Sequence, residues 1–218
     1  MKKIIIALPA LLLWSSTLDA QQRAQIGLKG GVNFSYLHTH DAADMSMLAG
    51  FNNGFFVRMP LVRRWSFQPE MYYITKGADI TYNSPVADGT ARYKFSYIEM
   101  PVMLVAHITP RFNIQAGPYI AFLLDSEVKN QSDVYLFNYR EHIQTSDFNR
   151  LDAGIVLGLG FDIGAFGIGT RYSHGLIKTG KERDLSGKMY RFPDAGNSSV
   201  ITYISYSFSQ RRKPAIAD

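Results

Sequence analysis

The stretch Leu151-Asp152-Ala153-Gly154-Ile155-Val156-Leu157-Gly158-Leu159-Gly160-Phe161-Asp162-Ile163 decides how this chain folds. Its odd positions are all apolar: Leu151, Ala153, Ile155, Leu157, Leu159, Phe161 and Ile163. Its even positions are Asp152, Gly154, Val156, Gly158, Gly160 and Asp162. Successive side chains of a strand point to opposite faces, so a period of two predicts a strand with one bulky apolar face and one small or charged face. The stretch is also long, since strands of globular sheets usually run about five or six residues.

The same pattern spreads outward in both directions. After a very short link at Gly164-Ala165, Phe166, Ile168 and Tyr172 alternate with Gly167, Gly169 and Arg171. The last segment sets Val200, Thr202, Ile204, Tyr206 and Phe208 against Ser199, Tyr203, Ser205 and Ser207. Upstream, Ile26 to Tyr36 alternates an apolar set with Gly27, Lys29, Gly31, Asn33 and Ser35. Phe51 to Met59, Trp65 to Lys76, Ile98 to Leu104 and Phe112 to Phe122 follow the same rule. That predicts eight strands.

Their connections alternate in length. Pro60 to Arg64, His107 to Arg111 and Gly164-Ala165 are short. Leu37 to Leu48, Tyr82 to Thr90, Glu127 to Asn149 and Leu176 to Gly196 are long and polar. Short turns at one end and long loops at the other describe an all-β, eight-stranded antiparallel up-and-down barrel of the transmembrane kind.

Alternation alone does not say which face is outside, and a lipocalin-like soluble barrel would have its apolar face inward. The polar face carries many glycines, among them Gly27, Gly31, Gly54, Gly117, Gly154, Gly158 and Gly160, and a narrow interior favours small side chains. The apolar face is aromatic near strand ends, at Tyr36, Trp65, Tyr73, Phe112, Phe166, Tyr206 and Phe208, as an interfacial girdle requires. The expectation is therefore a polar interior and an apolar exterior.

The ends of the chain set its compartment. Lys2-Lys3, the apolar run Ile4 to Trp14 and Ser15 to Ala20 read as a signal peptide over residues 1–20. The apolar run is too short for a spanning anchor, which needs about 20 residues. The barrel is expected over 21–208, and 209–218, with Arg211-Arg212-Lys213, as a basic periplasmic tail. The net charge is +5 with scattered basic residues, which is no nucleic-acid profile, and with no cysteine there is neither a disulfide framework nor a thiolate metal site.

Several motifs carry a resemblance. Tyr97-Ile98-Glu99-Met100-Pro101-Val102-Met103-Leu104, Gly117-Pro118-Tyr119, Asp152-Ala153-Gly154 with Gly158-Leu159-Gly160, Arg171-Tyr172-Ser173 with Gly175-Leu176, and the closing Tyr206-Ser207-Phe208 stand in this order. Together they resemble the PorT-like outer membrane protein beta-barrel family, within the porin-family proteins. The resemblance implies an eight-stranded outer-membrane barrel and no particular activity. It also implies that Tyr206 and Phe208 form the closing signal read by the barrel-assembly machinery, although ten residues follow Phe208 here.

The candidate site is the set of inward charges: Lys29, Arg58, Lys76 and Arg171 against Glu70, Glu99, Asp152 and Asp162. Four against four predicts a salt-bridged plug, because buried charges must be paired. Glu70, Glu99 and Arg171 are expected together near mid-height. The alternative is a narrow passive channel whose pairs exchange partners. A lipid-modifying enzyme is the third reading, but adjacent Ser173 and His174 point to opposite faces and cannot act as nucleophile and base. No cofactor and no metal are expected. His38, His40, Asp41 and Asp44 in the first long loop read as solvated loop residues. The later loops hold Tyr135, Phe137, Tyr139, Arg140 and His142, then Lys178, Lys181, Arg183, Lys188 and Arg191. A basic surface of that kind suits the phosphates of outer-membrane lipids and lipopolysaccharide. No protein partner can be named from the sequence.

Overall fold

The computed structural model of the chain describes residues 24–38, 45–83, 88–132, 139–142, 149–178, 182–185, 188–191 and 196–208. The signal-peptide stretch, the tail, His40, Asp41, Asp44, Tyr135, Phe137 and Lys181 lie outside the described residues.

Eleven strands follow in order: β1 Gln25–His38, β2 Met45–Val62, β3 Trp65–Asn83, β4 Asp88–His107, β5 Phe112–Ser132, β6 Tyr139–His142, β7 Leu151–Ile163, β8 Phe166–Lys178, β9 Glu182–Leu185, β10 Lys188–Arg191 and β11 Gly196–Ser207. Eight of them, β1 to β5 with β7, β8 and β11, form one closed antiparallel ring. Its order is β4-β3-β2-β1-β11-β8-β7-β5, and β4 pairs with β5 to shut it. Closure leaves no unpaired edge around the ring, which a bilayer demands because hydrocarbon offers no hydrogen bonds.

The strands run further than the alternation alone indicates. β5 continues to Ser132 and pairs with β6, and β9 pairs with β10 as a separate hairpin, so parts of these two expected long loops are strand, and β1 to β4 run into the other two, with His38 the last residue of β1. At the other end the turns are tight. Gly164 takes a positive φ of 63° in the β7–β8 link, a conformation that glycine adopts without a steric penalty. The chain end returns to this turn: Ser207 N donates to Ala165 O at 2.8 Å and Phe208 N to Ile26 O at 2.9 Å. Both ends of the barrel therefore lie at the short-turn side.

The outward face is apolar. Ile26, Leu28, Phe34, Phe55, Leu104, Ile155, Leu157 and Ile204 are all exposed, from Phe34 at 45% to Ile204 at 62% among those on β1 and β11. Water would disfavour so continuous an apolar surface, and hydrocarbon would not. Three prolines on adjacent strands, Pro69, Pro101 and Pro118, fall at or beside gaps in the ladders. β3–β4 skips from Pro69↔Val102 to Tyr72↔Glu99, and β4–β5 from Pro101↔Tyr119 to Leu104↔Ala116, with no change of register. A proline has no N–H to give to a ladder. A cavity of about 490 Å³ opens beside them, lined by Phe55, Val57, Met71, Met100, Val102 and Ile120.

The interior differs from the expectation in one respect. On β1, β7 and β8 the inward positions are mostly small or polar, as the alternation requires, with the buried Val156 an exception on β7. On β3, β4 and β5 they include Tyr72, Ile74, Phe95, Tyr97, Met103, Val105 and Tyr119, a buried apolar cluster. These segments are apolar at consecutive positions, so both of their faces carry bulk. The inner space on that side is filled rather than left to small residues.

Candidate functional site

The strand period puts all eight of the expected charged residues on the inner face, but they form two groups rather than one. The first lies toward the short-turn end. Glu70 on β3 is its centre: Oε1 accepts from Lys29 Nζ at 2.7 Å, Arg171 Nη2 at 2.8 Å and Gln68 Nε2 at 2.5 Å, and Oε2 accepts from Arg171 Nη1 at 2.7 Å. Arg171 is thus bidentate, the geometry in which a guanidinium binds a carboxylate most strongly. Its Nε donates to Gln115 Oε1 at 3.0 Å. Gln115 Nε2 passes the chain on to Asn113 Oδ1 at 2.6 Å and Tyr203 OH at 3.0 Å.

Arg58 Nε donates to Gln68 Oε1, and its Nη1 reaches Asp162 Oδ2 at 3.1 Å, where Asn113 Nδ2 also donates at 3.0 Å. The Tyr203 ring lies 4.3 Å from Lys29 Nζ and 4.9 Å from the Arg171 guanidinium, adding cation–π contact. The group joins β1, β2, β3, β5, β7, β8 and β11 across the lumen.

The second group lies toward the long-loop end. Lys76 Nζ is 2.6 Å from Glu99 Oε2 and 3.7 Å from Asp152 Oδ2. Tyr72 OH donates to Glu99 Oε1 at 2.9 Å, Tyr119 OH to Asp152 Oδ2 at 3.2 Å, and Asn197 Nδ2 reaches Asp152 Oδ2 at 3.4 Å. The Tyr119 ring sits 4.6 Å from Lys76 Nζ. Glu99 was expected beside Glu70 and Arg171 at mid-height. It belongs instead to this second layer, because the β3–β4 register places it opposite Tyr72 rather than Glu70.

The glycines of the opening stretch explain how such long side chains fit. A Cβ on Gly158 would stand 2.5 Å from Arg171 Cγ, and one on Gly154 would stand 2.6 Å from Tyr119 Cε1. A Cβ on Gly160 would meet Asn113 Oδ1 at 2.6 Å. β7 is therefore the thin wall against which the larger lumen groups of both layers lie.

Sequence reasoning missed Gln68, Asn113, Gln115, Tyr203 and Asn197. Uncharged inward residues carry no charge count, and only the closed ring brings them onto the ion pairs. It also missed two serine–histidine contacts. Ser198 Oγ lies 3.0 Å from His174 Nδ1 across β8–β11, and Ser66 Oγ lies 3.2 Å from His107 Nε2. Ser173 and His174 do point to opposite faces, Ser173 buried and His174 on the outer face beside Tyr172. Among the described residues no group of three or more His, Cys, Asp or Glu residues is arranged to hold a metal. The closing aromatics stack: Tyr206 packs on Phe166 at 5.1 Å and edge-on to Phe208 at 5.6 Å between centroids.

With this geometry in view, the model of the outer membrane protein beta-barrel domain matches residues 19–180. The chain belongs to this family. A closed ring with an apolar exterior is what an outer-membrane barrel presents to lipid, and the family sets the location as the outer membrane. No curated protein sequence matches the chain. Among solved structures, Neisserial surface protein A is 12% identical, with 86% of this chain and 100% of that one covered at a TM-score of 0.50. Ail, the attachment invasion locus protein of Yersinia pestis, solved with the heparin analogue sucrose octasulfate, is 14% identical over 85% and 99%, with a TM-score of 0.49. OprG from Pseudomonas aeruginosa is 11% identical over 86% and 97%, with a TM-score of 0.42. The likeness to Neisserial surface protein A is one of fold.

Proposed function

We propose that this family member is a shut barrel, a rigid outer-membrane anchor that holds its loops at the cell surface, with no enzymatic step of its own. The observation that carries the reading is the Lys29–Glu70–Arg171–Gln115–Tyr203 layer. Arg171 is 2% exposed and Glu70 5%, and their bonds cross from one wall of the ring to the other. An eight-stranded barrel has an interior just wide enough for side chains to fill. Two layers of buried, mutually bonded side chains across so narrow an interior oppose the passage of a solute.

On this reading the long loops are extracellular, the termini periplasmic and residues 1–20 a cleaved signal peptide. The basic loops meet lipopolysaccharide phosphates, and Tyr206 and Phe208 engage the assembly machinery. The Tyr97–Leu104 motif supports a place among the PorT-like members. The decisive experiment is planar-bilayer recording of the refolded protein. Wild type is expected to be silent, and Arg171→Ala, which empties the centre of the first layer, to give single-channel steps. Steps from wild type that change with Arg171→Ala or Glu99→Gln would make the protein a narrow passive channel instead.

A further inference from the structure

The second lumen layer is short of one positive charge. Two carboxylates, Glu99 and Asp152, face one cation, and among the described residues Lys76 is the only cation within ion-pair distance of either. The three side chains are at most 5% exposed, so water cannot balance the deficit from outside. The first layer has the opposite surplus, with Lys29, Arg58 and Arg171 against Glu70 and Asp162, so the negative charge of the second layer is local to it. An uncompensated charge enclosed in protein is strongly disfavoured.

The same layer also holds polar oxygens with nothing to bond. Asp152 Oδ1, Asn197 Oδ1 and Ser199 Oγ are buried and have no hydrogen-bond partner. They share one patch of wall. Asn197 Nδ2 reaches Asp152 Oδ2 at 3.4 Å, and Asn197 and Ser199 are alternate inward residues of β11. Gly175 lines the patch, and its lack of a side chain lets these groups approach closely. A Cβ there would stand 3.1 Å from Asp152 Oδ1, 3.1 Å from Tyr119 OH and 2.6 Å from the Asn197 carbonyl oxygen. The β8–β11 register shifts at this height, between Gly196 and Ser198. Such irregularities re-aim side chains and backbone groups, and they gather beside functional sites.

We propose that this patch binds a single alkali cation, coordinated by Asp152 Oδ1, Asn197 Oδ1 and Ser199 Oγ, which completes the charge of the Lys76 layer and clasps β7, β8 and β11 together. A proton on Asp152 Oδ1 would also neutralise the layer. A divalent ion would leave the layer positive, and calcium favours more carboxylates than the patch supplies. A monovalent ion matches both the charge deficit and the all-oxygen lining.

The test uses the full chain folded in detergent. The midpoint of thermal unfolding, read by circular dichroism and by heat-modifiable gel mobility, is compared in sodium, potassium and choline chloride at equal ionic strength. A ligand that binds only the folded state raises the midpoint with the logarithm of its concentration. The expected result is that rise for sodium or potassium and none for choline, with the rise abolished in Asp152→Asn and in Gly175→Ala. Lys29→Met, in the other layer, is expected to keep the rise. Sodium NMR of wild type, showing line broadening that potassium displaces, reads the site without any variant and decides the matter if the variants fail to fold. Equal midpoints in all three salts would overturn the proposal, as would a rise that persists in Asp152→Asn. So would an infrared carboxylic-acid band at neutral pH that vanishes in Asp152→Asn, since a proton would then fill the role.

Discussion

The two layers of the lumen solve one problem in different ways. Toward the short turns, an arginine fork meets Glu70, and amides from Gln68, Gln115 and Asn113 take up what the ions leave over. No side-chain atom of those five residues is buried without a partner. Toward the long loops a lone lysine stands between two carboxylates, and Asp152 and Asn197 keep unmatched oxygens. A planar guanidinium has five donors in fixed directions and can satisfy several acceptors at once, whereas an ammonium is a point charge with three. The first layer is complete as a hydrogen-bonded unit, and the second is complete only in part.

That contrast can be broken most forcefully at Glu70. Glu70→Ala leaves Lys29 and Arg171 buried without their carboxylate. The expected loss is about 3–5 kcal/mol of unfolding free energy, the size seen when one partner of a buried pair is removed. Denaturant unfolding in lipid vesicles measures it, and a loss no larger than that of an exposed pair would mean water already enters the layer.

Lys76→Met probes the other side. It leaves Glu99 and Asp152 facing each other, and about 3 kcal/mol is expected to go. The same unfolding experiment checks it, and it sharpens the comparison if the loss falls below that of Glu70→Ala. Next in size is Gly158→Ala, which pushes a Cβ into the Arg171 stem. Overpacking of this kind costs about 1–3 kcal/mol. Gly30→Ala, on the outer face with no atom nearer than 3.5 Å to its Cβ, serves as the control and is expected to unfold like wild type. The smallest effect belongs to Asp79→Asn. Arg92 forks onto Asp79 at 2.8 and 2.7 Å, but the Arg92 side chain is 49% exposed. About 1 kcal/mol or less is expected, shrinking further in high salt.

The fold was legible because one rule holds along most strands. From Gln25 to Ser35, and from Leu151 to Phe161, the inward residues are small or polar apart from Val156 and the outward ones apolar apart from Gly30, so parity alone assigns the faces. The rule falters in β5. Odd positions point inward through Leu123, and even ones do so from Ser126, because the ladder to β4 shifts between Ser96 and Tyr97. A local period cannot show a bulge that a partner strand imposes. The apolar inward residues of β3 to β5 were hidden for a related reason: where both faces are bulky, alternation gives no contrast to read.

The sequence by itself determined the ring of eight strands, the apolar exterior, the end at which the short turns lie and the eight inward charges. These follow from the two-residue period of an extended chain and from the need to pair every backbone group in a membrane. Only the tertiary structure decided which charge meets which. Lys29 and Glu70 are far apart in the chain and on strands that do not adjoin, as are Glu70 and Arg171. Their meeting depends on barrel closure, strand register and the glycine hollows of β7. Those are set by the packing of the whole ring, which places Glu99 with Lys76 rather than with Arg171, and which leaves Asp152 with an oxygen to spare.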